Sequence, residues 1–220
     1  MFDRVARVYD LLNRVMTAGM DQRWRERAAD LAEVRPGDRV LDVAAGTGDL
    51  SIELNGRVSP DGEVIGIDFS ETMLELAREK APEIRFEQGN ALDLPYEDGE
   101  FSAATIGFAA RNLSDLGRGL AEMRRVVRPG GRVVVLEMTT PTKPPLSWFF
   151  RLWFDRIVPL LGRLSDDPEA YTYLPNSVKR FPGPQALGAE LVAAGLTDVR
   201  WVLTAGGIIA IHVGTVPGGG

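Results

Sequence analysis

The sequence contains no cysteine and a single histidine, His212. Without cysteine there is no disulfide framework, no thiolate metal ligand and no thiol nucleophile. One histidine removes multi-histidine metal sites and most Ser-His-Asp chemistry, so no metal centre is expected. Catalysis has to come from carboxylates, Arg, Asn, Tyr, backbone groups or a cofactor. Cations are also in deficit: 25 Lys and Arg stand against 31 Asp and Glu, a formal net charge of −6. That balance argues against a general nucleic-acid binder, whose phosphate contacts need clustered Lys and Arg. The N-terminus, Met1-Phe2-Asp3-Arg4, lacks the apolar core of a signal peptide, which points to a cytoplasmic location. The segment nearest to a membrane span is Pro144 to Leu164. It carries Arg151, Asp155, Arg156 and Arg163 and is interrupted by Pro159, whereas a spanning helix needs about 20 apolar residues with few charges. No internal repeat is present, and the only low-complexity tract is the Gly218-Gly219-Gly220 tail.

What is there suits an α/β fold. The 220 residues, 45% hydrophobic and 25% charged, are enough for one such domain and marginal for two. Phe2, Val5, Tyr9, Leu12 and Met16 recur at helical spacing, and a second short helix is expected from about Met20 to Leu31, giving N-terminal helices over 2–32. Arg39 to Ala44 reads as a strand buried on both faces, ending at a glycine turn. Strands are then expected at Glu63–Phe69, Ile84–Glu87, Phe101–Phe108 and Arg132–Met138. They are separated by helices opening at Asp49, after Ser70 as N-cap, and over Leu116–Val127, the last ended by Pro129-Gly130-Gly131. This alternation predicts βαβ units and a parallel sheet. The close differs: a helix over Gln185–Ala194, then strands Val199–Thr204 and Ile208–Thr215 joined by a two-residue Gly206-Gly207 turn, an antiparallel hairpin.

Three loops at the carboxyl edge of that sheet carry chemistry. Gly46-Thr47-Gly48 follows the first strand and opens a helix, so the backbone can approach a ligand and free N–H groups face it. Such a turn serves a dinucleotide, S-adenosylmethionine or helix packing alone. Asp42, just inside the first strand, opposes a pyrophosphate and suits a cationic ligand without phosphate. Asp68 ends the second strand, where a carboxylate can accept both ribose hydroxyls or simply be solvated. Asn90 and Asp93, in Gly89-Asn90-Ala91-Leu92-Asp93-Leu94-Pro95, can read the polar edge of an adenine or form a turn.

The chain resembles the quinone-biosynthesis C-methyltransferases from Phe2 to about Val216. Tyr9 to Trp24 (YDLLNRVMTAGMDQRW) and Arg125 to Thr139 (RVVRPGGRVVVLEMT) are similar to the two family signatures. VLDVAAGTGDLS, GIDFSETML, GNALDLP and YLPNSVKRFPG fit the same pattern. The resemblance implies a class I S-adenosylmethionine-dependent methyltransferase (Rossmann-like) fold, a seven-stranded, parallel-core sheet ending in an antiparallel hairpin, in a single domain over 1–220. It implies S-adenosylmethionine as cofactor, leaving as S-adenosylhomocysteine. It places cofactor contacts at Thr47, Asp68, Asn90 and Ala91, beside Asp42, Gly46 and Gly48. Gly107 stands where the family often has Ser, so a side-chain contact is lost there. Asp21 and Thr17 stand where the first signature often has His and Ser, and the Asp at the first of these places favours menaquinone over ubiquinone.

The implied reaction is methyl transfer to a ring carbon of a prenylated quinol, demethylmenaquinol to menaquinol. A quinol carbon becomes nucleophilic as a neighbouring hydroxyl, of pKa about 10, loses its proton. Arg111 and Asn112, after the fourth strand, can donate to the developing phenolate, or Arg111 can hold the loop by an ion pair. Tyr9 and Asp10 can reach the ring, or pack and solvate the first helix. Leu146 to Leu164, within an aromatic insertion at about 144–180, carries Trp148, Phe149, Phe150, Trp153 and Phe154. It can form a groove for the prenyl tail, rest on a bilayer as a peripheral contact, or pack as a lid on the sheet or on a second subunit of a homodimer. Alternatives are N-methyl transfer to a lipid or small molecule, a nicotinamide-dependent dehydrogenase, and a binding module without catalysis.

Overall fold

The computed structural model describes residues 19–142, 144–152, 177, 178 and 180–218. The helix expected over Phe2 to Met16 lies outside them. The elements are α1 (Asp21–Leu31), β1 (Arg39–Val43), α2 (Asp49–Val58), β2 (Glu63–Asp68), α3 (Glu71–Lys80), β3 (Arg85–Gln88) and β4 (Phe101–Gly107). There follow α4 (Leu116–Val126), β5 (Val127–Met138), α5 (Leu146–Leu152), α6 (Pro184–Ala193), β6 (Thr197–Thr204) and β7 (Ile209–Thr215). The strands form one seven-stranded sheet in the order β3-β2-β1-β4-β5-β7-β6. The first five are mutually parallel and β7 runs antiparallel to both β5 and β6, as the alternation of elements predicts.

Side-chain alternation sorts the core onto two faces. Val40, Val64, Ala103 and Val134 pack against α1, α2 and α3, which contribute Ala28, Leu54 and Leu74. Leu41, Ile65, Ala104 and Val135, each one residue further, pack against Leu120 and Met123 of α4 and Leu187 and Leu191 of α6. Central strands covered on both faces have no solvent side, which is why they read as near-continuous apolar runs. Helix ends follow local chemistry: the Ser70 hydroxyl accepts from Met73 N–H, as expected, and Asp115 accepts from Arg118 N–H at 2.9 Å to start α4.

Two turns differ from the expectation. Pro129-Gly130-Gly131 does not end a helix. Helix α4 stops at Val126, Val127 already pairs with Phe101, and the register resumes at Ala103 with Arg132, so the tripeptide is an irregularity inside β5. A Cβ on Gly131 would lie 2.4 Å from the Ser102 carbonyl oxygen, so only glycine lets the bulged chain fold back this closely. The closing hairpin pairs Thr204 with Ile209, leaving a four-residue connection, Ala205 to Ile208, instead of the two-residue turn. Ala205, Gly206 and Gly207 all have positive φ, a left-handed run that a two-residue turn cannot accommodate.

His212, central in β7, is fully buried on the α6 face. Its Nε2 lies 2.8 Å from the Pro184 carbonyl oxygen, and the Trp201 ring stacks on it at 5.4 Å. Its Nδ1 finds no hydrogen-bond partner among the described residues. Burial holds its pKa below 6.5, outweighing the Pro184 contact. The unfolded chain therefore binds a proton below about pH 6.5 that the folded chain refuses, and stability falls as pH falls through that value. The loss is at most about 1.4 kcal/mol per pH unit. Thermal melts at pH 7.5 and 5.5 are expected to differ more for the wild type than for His212→Gln; equal differences would exclude His212 as the cause.

Candidate active site

The strand order reverses between β1 and β4, and the connections that leave those strands run to opposite faces of the sheet, to α2 on one and α4 on the other. Open α/β sheets bind ligands in the crevice between them. Here it is a cavity of about 250 Å³, walled by the segments that follow β1, β2, β3 and β4. Gly46, Thr47, Asp68, Asn90, Ala91 and Gly107 all line it, and Asp42 forms part of its floor. Gly48 is the αL residue before α2, with φ +82°. A Cβ there would meet the Phe86 ring at 2.7 Å, so glycine is required on conformational and steric grounds.

Each acid has defined partners. Asp68 closes β2 and its two carboxylate oxygens accept from Gly46 N–H and Ser70 N–H, both at 2.9 Å. It thereby ties the glycine turn to the start of α3 while lining the cavity. Asp42 is fully buried: alternation along β1 turns it beneath α2, where the hydroxyls of Ser51 and Thr105 donate to it at 2.7 and 2.8 Å. Burial pushes its pKa up to about 6 against the pull of those two hydroxyls. The Asn90 side-chain oxygen accepts from Leu92 N–H at 3.0 Å, which shapes the loop. Asp93 is exposed and is not part of the cavity lining.

After β4 the chain makes a short 3-10 turn, Ala110–Asn112. Phe108, Ala109 and Asn112 line the cavity; Arg111 does not. Its Nη1 donates to Glu137 Oε1 at 2.5 Å and to the Phe108 carbonyl at 2.6 Å, and its backbone N–H reaches Glu137 Oε2 at 3.2 Å. Glu137 is 1% exposed, so this is a buried ion pair holding the loop, one of the roles the sequence allows for Arg111. Tyr9, Asp10 and Thr17 lie outside the described residues. So does Trp153 with the rest of the aromatic segment beyond Leu152. Within α5, Trp148 is 69% exposed and Phe150 is buried.

Several lining residues escape the sequence reading. Phe69 stands 68% exposed immediately after Asp68, and with Met73 and Leu92 it gives this side of the cavity an apolar wall. An aromatic directly after a strand-end acid is the signal that was available. Phe108 holds φ at +58° and Ala44, after β1, holds +53°. Both are non-glycine residues in the left-handed region, each costing about 1–3 kcal/mol, and both line the cavity. Phe108 is held by Trp24, edge-on at 6.4 Å, and by the Arg25 guanidinium, 5.5 Å from its ring centre.

The donor set fits S-adenosylmethionine. Asp68 and Asn90 give the cavity polar groups of the kind a nucleoside requires, the apolar wall suits an adenine, and an acidic floor suits a sulfonium and an ammonium while opposing a pyrophosphate. The turn also leaves room, since nothing lies within 4 Å of a Cβ built on Gly46. The sheet order, the antiparallel β7 and this crevice together define the class I S-adenosylmethionine-dependent methyltransferase fold. Solved structures agree on the fold. An Aquifex aeolicus SAM-dependent methyltransferase matches with TM-score 0.63 at 19% identity, over 87% of this chain and 89% of that one. A possible histamine N-methyltransferase of Thermotoga maritima gives 0.68 at 18%, over 98% and 97%. The model of the ubiE/COQ5 methyltransferase family matches residues 1–216, and the chain belongs to that family. A Thermus thermophilus protein named demethylmenaquinone methyltransferase is 48% identical, over 99% of this chain and 100% of that protein. One of the same name from Deinococcus radiodurans is 48% identical, over 94% and 87%.

Proposed function

We propose that this chain transfers the methyl group of S-adenosylmethionine to a ring carbon of a prenylated demethylmenaquinol, yielding a menaquinol. The observation that carries the substrate is the near-full-length 48% identity to demethylmenaquinone methyltransferases. Family membership leaves the dehydrogenase alternative without support. Bound S-adenosylmethionine supplies an already activated methyl on sulfur. Asp68, Asn90 and Ala91 hold its nucleoside, with Phe69 and Leu92 as the apolar wall. Thr47 and the turn from Gly46 to Gly48 hold the segment next to it. Gly107 contributes backbone only. Asn112 faces the cavity and donates to the oxygen of the quinol as phenolate character develops. Arg111 is a positioning residue: it fixes the turn that carries Phe108 and Asn112. Tyr9 remains a candidate for contact with the ring. Labelled S-adenosylmethionine incubated with several demethylated quinols tests this; label on a nitrogen lipid with none on a quinol would replace it.

No helix among the described residues is long and apolar enough to cross a membrane. We infer a cytoplasmic enzyme that meets its lipid substrate at the membrane surface, with the exposed face of α5 as the contact. Trp148 and Leu152 are 69% and 39% exposed on that helix. Trp148→Glu with Leu152→Glu is expected to raise KM for a long-tailed quinol about tenfold or more, the equivalent of about one apolar side chain's burial. Turnover of a short-tailed, soluble quinol should hold, and binding to liposomes should weaken in parallel. An equal loss on both quinols would remove α5 as the tail contact. Phe150 is unsuitable for this test because it is buried, and a charge there would unfold the helix packing.

A further inference from the structure

Among the described residues that line the cavity there is one cation, Arg25. It comes from α1, outside the strand-end loops that make the rest of the site. Its side chain is 11% exposed and is fixed from three sides. Nη1 pairs with Asp21 one turn back, Nη2 lies 3.4 Å from Asp49, and the guanidinium sits 5.5 Å from the Phe108 ring centre. A guanidinium carries five N–H donors in one plane, and Asp21 takes only one at hydrogen-bond distance. Asp49, moreover, is shared with Lys80, whose Nζ lies 2.8 Å from its other oxygen. Arg25 thus reaches the cavity with donors to spare, beside the first residue of α2, where helix N–H groups also favour an anion.

We propose that Arg25 binds the carboxylate of the amino-acid end of the methyl donor, and so discriminates cofactors that carry this group from nucleosides that lack it. The inference rests on the reading of the cavity as an S-adenosylmethionine site. The charges explain the placement. That end of the donor bears an ammonium and a carboxylate on one carbon. Asp42 and Asp49 attract the ammonium and repel the carboxylate, and Arg25 supplies the opposite charge where it is needed. The planar fork held against Phe108 is pre-organised for bidentate pairing with a carboxylate, which an ammonium side chain cannot reproduce.

The test is calorimetric titration of the wild type and of Arg25→Gln with S-adenosylhomocysteine and with 5′-methylthioadenosine, which keeps the nucleoside and the sulfur but lacks the amino-acid end. Arg25→Gln should lose about ten- to hundredfold in affinity for S-adenosylhomocysteine and bind 5′-methylthioadenosine like the wild type. Arg25→Lys should fall between the two. Because Asp21 is buried, Arg25→Gln is paired with the double variant Asp21→Asn/Arg25→Gln, which removes the carboxylate together with its guanidinium and should show the same selective loss. Equal loss on both ligands would make Arg25 a prop for Phe108, and no loss on either would assign the carboxylate to the helix terminus alone; both overturn the proposal. A wild type that binds neither ligand would instead overturn the cofactor reading.

Discussion

Asp68→Ala is expected to lower the affinity for S-adenosylhomocysteine at least about a hundredfold while leaving a folded protein. The carboxylate accepts from Gly46 N–H and Ser70 N–H and faces the cavity, so its removal acts twice. It takes away the charged acceptor proposed for the ribose, and hydrogen bonds to charged groups contribute roughly 1.5–3 kcal/mol. It also releases the glycine turn from the start of α3, so the remaining contacts must re-form an ordered loop on binding, an added entropic cost. Asp68→Asn separates the two effects. It keeps the shape, but its NH₂ must face one of the two backbone donors, so the affinity should fall by an intermediate amount with a small drop in Tm. Calorimetry on both variants checks this. Unchanged affinity in a folded Asp68→Ala would remove the residue from the site.

The sheet was legible because its strands are short apolar runs ended by glycine or an acid, which is how parallel strands buried on both faces must read. Asp68 and Ser70 were legible for the same reason: position at a strand end assigns the acid, and a hydroxyl before an amphipathic run assigns the cap. Asp42 was read as a carboxylate for the ligand, and it borders the cavity; only alternation along β1 shows that it also turns under α2, where the Ser51 and Thr105 hydroxyls donate to its oxygens. Arg25 and Phe108 were not legible at all. Their contact requires α1 to pack across the end of β4, a juxtaposition set by tertiary topology with no local sequence signal. The register inside β5 was missed because a Pro-Gly-Gly tripeptide signals a break in any element, and only pairing with β4 shows that a strand continues through it.

The Arg111–Glu137 pair was hidden until strand order was known. Gly107 pairs with Leu136, so the residues just beyond these positions are neighbours. Arg111→Ala is expected to cost about 3–5 kcal/mol, because it leaves Glu137 buried at 1% exposure without its counter-ion. For a chain of this size that lowers Tm by roughly 10 °C. Turnover measured on that variant alone would confuse a broken loop with lost chemistry. The informative protein is Arg111→Met/Glu137→Gln, which leaves no buried charge without its counter-ion while the Gln oxygen still accepts from one of the backbone N–H groups that Glu137 serves. Tm should recover most of the loss, short of the wild-type value because one carboxylate oxygen and the Arg111 donor to the Phe108 carbonyl are gone. If Arg111 acts by fixing the turn, the affinity for S-adenosylhomocysteine should recover, and kcat should return to within about tenfold, the residue of a less rigid Asn112. Direct donation to the quinol oxygen predicts something else: a stable double variant with normal cofactor affinity and kcat still down by about 10²–10³, the usual loss for one such donor. That second outcome would move Arg111 from positioning to chemistry, and it requires Arg111 to leave Glu137 and the Phe108 carbonyl when the quinol binds.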